Sequence, residues 1–335
     1  MKAHAAYIYG VAAHVWAAQD GPPDLSTQVQ AAWGKRFRRV NHFIELALVG
    51  AKSCLAHTQE PPPRDCDIYI ATEQGNVADV ANITEALFKR QESPMPLEFL
   101  NVPNNMAGFY VAQGLGLHSA NLTIAHRAFP FETALDIAIF RLASSGKKNS
   151  RALVGGVEEC AYPLDQHRQR MQLAMDTPLA EGSSWLYLGN TEMDNEELGI
   201  EGLGNEAQSN EKLDDEAQGN EEPANKQHAL ARCEWVKFFP EHDALLAFLQ
   251  GLGLPSSTFL AGGYGLEEEQ LNALATTLGI VNRYNGRSAT PYHDTQCAYI
   301  IASFISEQQG QCLVYVNRDA RDCYAGVCIS TLAQE

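Results

Sequence analysis

The chain has 335 residues, 45% hydrophobic and 9% aromatic, which is enough apolar material for the full core of an ordinary globular protein. Its formal net charge of -17 argues against a phosphate-neutralising surface, so no nucleic acid is expected as a partner. No apolar run reaches membrane-spanning length and the opening MKAHAAYIYGVAAHVW lacks the apolar core and cleavage region of a signal peptide, so no membrane insertion and a cytoplasmic location are expected.

Eight cysteines, Cys54, Cys66, Cys160, Cys233, Cys297, Cys312, Cys323 and Cys328, are scattered without CxxC or zinc-finger spacing. They read as buried free thiols, and no metal or cofactor is expected.

In chain order, Ala6 to Trp16 is predicted as a β-strand running into a Gly-Val turn, followed by a Gly21-Pro22-Pro23 loop. Lys35 to Leu55, KRFRRVNHFIELALVGAKSCL, reads as one amphipathic helix. Lys35, Arg36, Arg38 and Arg39 cluster near its start, as a solvated basic end or as a contact for an acidic partner. DCDIYIATEQGN is a strand bounded by Gly75, Val77 to Lys89 a helix, and PMPLEFLNVPNN a return segment. Asn104 and Asn105 can cap a helix running to about Leu115, which Gly116 ends. Met106, Phe109, Tyr110 and Gln113 share one face of it, and such a stripe serves a core or lines a pocket. NLTIA, within Ala120 to Ala125, reads as a buried strand. Phe131 to Ser145 has apolar residues at helical spacing and is closed by Gly146, ALVGG is a short apolar strand, and AEGSSWLYLGN from Ala180 to Asn190 alternates as a strand.

Residues 191 to 228 are a different kind of sequence. EAQSNE at 206 to 211 recurs as EAQGNE at 216 to 221, and between Glu192 and Glu222 twelve acidic residues meet one basic residue, Lys212. Such composition reads as a flexible acidic insertion. From Cys233 the pattern resumes: CEWVKFFP as a strand, a helix from His242 to Leu252, STFLAGGYG as a strand and a helix from Glu267 to Leu278. GIVNRYNG, a helix from Asp294 to Gln308 and the closing strands QCLVYVNRD and CYAGVCIS complete it. Gly262, Gly263 and Gly265 lack the spacing and lysine of a phosphate loop.

Several of these residues carry a resemblance. AYIYG is similar to the first strand of β-ketoacyl synthases, RRVNHFIELALVGAK closely resembles their early helix, and Asn105, Gly108, Leu117, Asn121, Leu122, Thr123, Gly155, Gly156 and Glu158 match their central region. Glu181 and Gly182 match a later strand, with Trp185 a bulky departure. The resemblance implies an α/β class and a thiolase-like layered αβαβα fold of two duplicated halves, 1-190 and a shortened 229-335, with 191-228 inserted between them. It places Asn105, Met106, Phe109, Tyr110 and Gln113 at the dimer interface and acyl channel, and Lys35, Arg36, Arg38 and Arg39 where an acyl carrier protein could dock.

The departures matter as much. Where the family holds its nucleophilic cysteine, this chain has His126, Arg127, Ala128, Phe129 and Pro130. Neither alanine nor phenylalanine can form a thioester. In the second half LAGGYG lacks the first family histidine. His293 stands near the second, as a remnant or as a helix-capping or surface residue. AHRAFPFETALDIA is similar to the form seen in chain-length factors of type II polyketide and aryl-polyene systems. The resemblance therefore implies a subunit with no catalytic residues of its own, paired with a catalytically active β-ketoacyl synthase as a heterodimer and serving an acyl carrier protein. The alternatives are a stand-alone acyltransferase or decarboxylase with a relocated nucleophile, Glu132, Cys160 or Cys297 acting with His293 or His126, and a degenerate scaffold.

Overall fold

A computed structural model describes residues 5–19, 21–58, 60–191 and 228–333. The acidic insertion expected over 191 to 228 lies, apart from its two ends, outside the described residues. The elements of the first half are β1 (Ala6–Ala17), α1 (Ser26–Trp33), α2 (His42–Cys54), β2 (Asp67–Thr72), α3 (Val77–Glu85) with a π-helical turn Ala86–Arg90, α4 (Pro96–Asn101), α5 (Asn105–Leu115), β3 (Asn121–Ala125), α6 (Pro130–Ser144), β4 (Arg151–Glu158), α7 (Leu164–Met171) and β5 (Ala180–Gly189). The second half contains β6 (Ala231–Phe239), α8 (His242–Gly251), β7 (Thr258–Gly262), α9 (Glu268–Leu278), β8 (Asn282–Arg283), α10 (Gln296–Glu307), β9 (Cys312–Arg318) and β10 (Tyr324–Thr331).

The strands lie in the order β3-β2-β4-β5-β1-β6-β10-β9-β7-β8. Numbered within its own half, each set of five runs third, second, fourth, fifth, first. The pairing senses repeat as well: the second strand lies parallel to the third and fourth, while the fifth is antiparallel to both neighbours. The two halves meet where Ala6–Ile8 pairs antiparallel with residues 231–233. The fold is thus a duplicated α/β architecture of the thiolase-like type.

Two helices fill the space between the halves. The α10 sequence QCAYIIASFISE has almost no polar face, and Ile300, Ile301 and Phe304 are buried with Phe131, Leu135 and Ile139 of α6 against strands of both halves. A helix apolar nearly all round belongs in an interior, which is why α10 and α6 become the middle layer. Outside it, α2 and α5 cover one half of the sheet and α8 and α9 the other, giving the αβαβα order.

Four local expectations are corrected. The helix expected over Lys35 to Leu55 is shorter: residues 35 to 41 are a linker that follows α1, and only α2 within that span is helical. Gly34 ends α1 in the left-handed conformation, and Asn41 starts α2 by accepting the Ile44 N–H at 3.1 Å. Lys35, Arg36, Arg38 and Arg39 therefore lie on the linker between helices, not on a helix start. Gly10 and Val11 are not a turn but lie inside β1, at a register irregularity; a Cβ on Gly10 would come 2.4 Å from the Cys54 carbonyl oxygen, so only glycine fits. NLTIA is a strand, yet it is the edge strand β3, largely exposed rather than buried. The return segment PMPLEFLNVPNN contains α4.

Trp185 is accommodated by two glycines. A Cβ on Gly155 of β4 would meet its ring at 2.3 Å and one on Gly50 of α2 at 2.4 Å. The indole is fully buried and donates to Ser183 Oγ at 3.0 Å, so the bulky departure is absorbed without loss of a hydrogen bond.

Candidate functional site

The turn after β3 is the local feature on which the site depends. Phe129 has φ 56° and ψ 45°, a left-handed conformation unusual for a bulky residue, and Pro130 then opens α6 at its first position. Proline supplies the φ a helix start needs and disfavours right-handed backbone at the residue before it, so the turn is sharp. His126 Nδ1 lies 2.6 Å from the Ala128 carbonyl oxygen, within the turn and on the surface, rather than over a reacting centre. No thiol or hydroxyl side chain is present in residues 126 to 130.

This turn forms one wall of a cavity of about 200 Å³. Arg127, Phe129 and Glu132 come from the first half, Tyr292, His293 and Asp294 from the segment before α10, and Tyr315 and Asn317 from β9. Both middle-layer helices begin here. That follows from the duplication, since α6 and α10 are equivalent elements whose preceding turns sit at the same end of the sheet.

Carboxyl groups dominate the chemistry. Glu158, at the end of β4, accepts the backbone N–H groups of Glu73 at 2.7 Å and Gln74 at 2.8 Å and the Thr72 hydroxyl at 3.2 Å, tying the β2–α3 turn in place. Burial pushes the Glu73 carboxyl up to about 8, reinforced by Asp294, and burial pushes Asp294 itself up to about 6. Glu158, beside both, is also raised by burial and by Asp294. Three neighbouring carboxyls cannot all be charged in a dry site, so the group retains protons at neutral pH. Tyr292 donates its phenol to Asp294. Glu132, in the first turn of α6, is buried and pushed up to about 7.

His293 is not a surface residue or a helix cap: it is 2% exposed, two residues before the Thr295 N-cap, and its burial pushes its pKa down to about 4. It is neutral, with Nδ1 3.3 Å from the Pro291 carbonyl oxygen. Cys160 and Cys297 are both buried and both raised by that burial, with carboxylates nearby raising them further. A thiolate is costly at either position, which disfavours them as relocated nucleophiles. Among the described residues no group of three His, Cys, Asp or Glu side chains is placed to hold a metal ion.

The other expected residues lie elsewhere. On α5, Met106 and Tyr110 turn toward the core that α2 shares, whereas Asn105, Phe109 and Gln113 are exposed. The stripe is therefore divided between packing and surface. Lys35, Arg36, Arg38 and Arg39 flank Phe37, over whose ring Lys35 Nζ sits at 5.1 Å, and an open groove runs beside them. Glu73, Tyr292 and Asp294 were missed by the sequence reading. The available signal was positional: Glu73 and Glu158 each stand just beyond or at the C-terminal end of a parallel strand, where α/β proteins place their sites.

No protein-family model matches the sequence, and no curated protein matches it. Solved structures do. The ishigamide ketosynthase/chain length factor superposes with a TM-score of 0.62 at 15% identity, over 91% of this chain and 85% of that one. AntDE, a type II polyketide ketosynthase determined with its acyl-carrier protein AntF and bound to the hexaketide, gives 0.67 at 10% identity over 98% and 100%. The 3-oxoacyl-(acyl carrier protein) synthase III of Pseudomonas aeruginosa gives 0.52 at 14% over 98% and 99%. The fold is that of the thiolase-like ketosynthases.

Proposed function

We propose that the chain is a non-catalytic ketosynthase-like subunit, of the chain-length-factor kind, that pairs with an active β-ketoacyl synthase. The observation that carries this reading is the turn at Phe129. It keeps the sharp strand-to-helix geometry at the start of a middle-layer helix, yet presents a phenylalanine ring and no nucleophile. The histidine that remains nearby is buried and neutral, and LAGGYG offers no second one.

Exposed apolar side chains on the first half support pairing. The edge strand β3 pairs with β2 on one side only, among the described residues. Leu122 on it is 44% exposed, and Phe88, Phe99 and Phe109 are 80%, 51% and 48% exposed. An open strand edge and exposed aromatic rings are poor features for a lone molecule and good ones for a subunit contact. In this reading Phe109 faces the partner and contributes to the wall along which the growing acyl chain lies. The linker bearing Lys35, Arg36, Arg38 and Arg39 is the docking ground for an acidic acyl carrier protein. Two of the structural neighbours carry matching descriptions, one a ketosynthase/chain length factor and one a ketosynthase with its carrier protein.

The test is recovery of the tagged protein from its own source cells at moderate salt, with mass spectrometry of whatever accompanies it in near-equal amount. A ketosynthase retaining its cysteine and two histidines is expected. A clean homodimer that condenses acyl units unaided overturns the reading.

A further inference from the structure

The cavity beside Phe129 holds more carboxyl groups than its own cations answer. At its rim, Arg318 is tied to the Gly265 carbonyl oxygen at 2.9 Å and to Asp322 at 3.2 Å, while Asp319 is tied to Arg321 at 2.9 Å. Those charges are settled locally. Of the described lining residues, Glu73, Glu132 and Asp294 then face Arg127, with His293 neutral and Glu158 behind them occupied by Thr72 and two backbone N–H groups.

A second observation points to a ligand. Among the lining residues, Glu132 Oε1, Asp294 Oδ2, Gln296 Oε1 and His293 Nε2 have no hydrogen-bond partner. Glu132 and Gln296 are only 1% and 2% exposed. A buried acceptor left empty costs roughly 1–3 kcal/mol, so several around one small space describe a site built for a donor. Tyr264 and Tyr292, their ring centroids 4.5 Å apart, add aromatic surface to the wall.

We propose that this cavity is a binding site for a small protonated amine, whose ammonium group donates to Glu132, Asp294 and Gln296. An ammonium carries donors and no acceptor, which suits a group of empty acceptors. Its positive charge offsets the carboxyl excess. An anion such as malonate would add charge of the wrong sign to the same wall. The cavity, of about 200 Å³, has room for a short alkyl amine. This site does not depend on the pairing role, and it gives the space where a nucleophile would stand a different occupant.

Isothermal titration of the full chain with 1,4-diaminobutane, ethylamine and sodium malonate at neutral pH tests the proposal. One amine per chain is expected to bind, malonate is expected to give no heat, and Glu132→Gln and Asp294→Asn should each weaken the amine by roughly tenfold or more. Arg127 is exposed, so Arg127→Gln should fold normally and tighten the amine several-fold by removing a competing cation. Malonate binding in preference to the amines, no amine binding at millimolar concentration, or amine binding indifferent to all three substitutions would overturn it.

Discussion

The Phe129 ring, set on left-handed backbone at the end of the first-half turn, rests 6.2 Å from the ring of Phe238 on the second half's first strand. The two halves of the duplication therefore close over one another at the point where a nucleophile would need access. Phe129 is 8% exposed, so its side chain takes part in packing across the halves as well as in shaping the cavity. Phe129→Ala should lower stability by about 3 kcal/mol through the lost ring, as for other buried aromatics, measured by denaturant unfolding.

Phe129→Cys should fold but should not condense acyl units. The thiol would stand at the start of α6, yet its neighbours are carboxyl groups that disfavour a thiolate, and His293 is buried and neutral. Condensation of a labelled malonyl unit by the purified variant alone would count against the proposed function.

Gly108 on α5 lets that helix approach the edge strand. A Cβ there would come 2.1 Å from Asn121 Oδ1 on β3. Gly108→Ala should make the exposed Asn121 amide swing aside, changing stability by less than about 1 kcal/mol while altering the surface around β3 and weakening subunit pairing. Unchanged affinity for the partner in analytical ultracentrifugation would detach β3 from the proposed interface.

Phe109→Ala should behave differently. Its ring is half exposed, so the melting temperature of the isolated chain should hardly change, while the assembled pair should release longer products if the ring borders the acyl chain. Mass analysis of products from the pair decides this; an unaltered length distribution with intact assembly removes Phe109 from that role.

Glu132 gives a pH signature. Burial raises its pKa from 4.5 to about 7, so the folded chain holds a proton that the unfolded chain has released across that interval. Stability from the neutral carboxyl is full below 4.5 and falls as pH rises through about 7, with a span of about 3 kcal/mol. Glu132→Gln should thus gain several degrees in melting temperature at pH 8 and gain little at pH 4.5. Glu73 and Asp294 are shifted in the same direction, so the variant should keep a reduced slope of the same sign.

Much of this architecture could be read from the sequence because it follows local rules. Alternating apolar residues marked β5, a nearly all-apolar run marked α10, and glycines at positive φ closed α5 and α9 at Gly116 and Gly279. The absence of a thiol or hydroxyl side chain at 126 to 130 was a matter of residue identity. Sequence alone, read against the thiolase-like pattern, settled that the chain repeats an α/β order and that its central turn carries no thiol.

Three-dimensional packing decided the rest. Whether NLTIA is buried depends on how many strands flank it, and only the sheet order makes it an edge. Periodicity put Met106, Phe109, Tyr110 and Gln113 on one face, but α2 lies against only part of that face, so Phe109 and Gln113 remain exposed. Glu73, Glu132 and Asp294 are separated by scores of residues along the chain, and nothing local in their sequence marks them as neighbours. They converge because the duplication starts two middle-layer helices at the same end of the sheet, and burial there, not residue type, raises their pKa values.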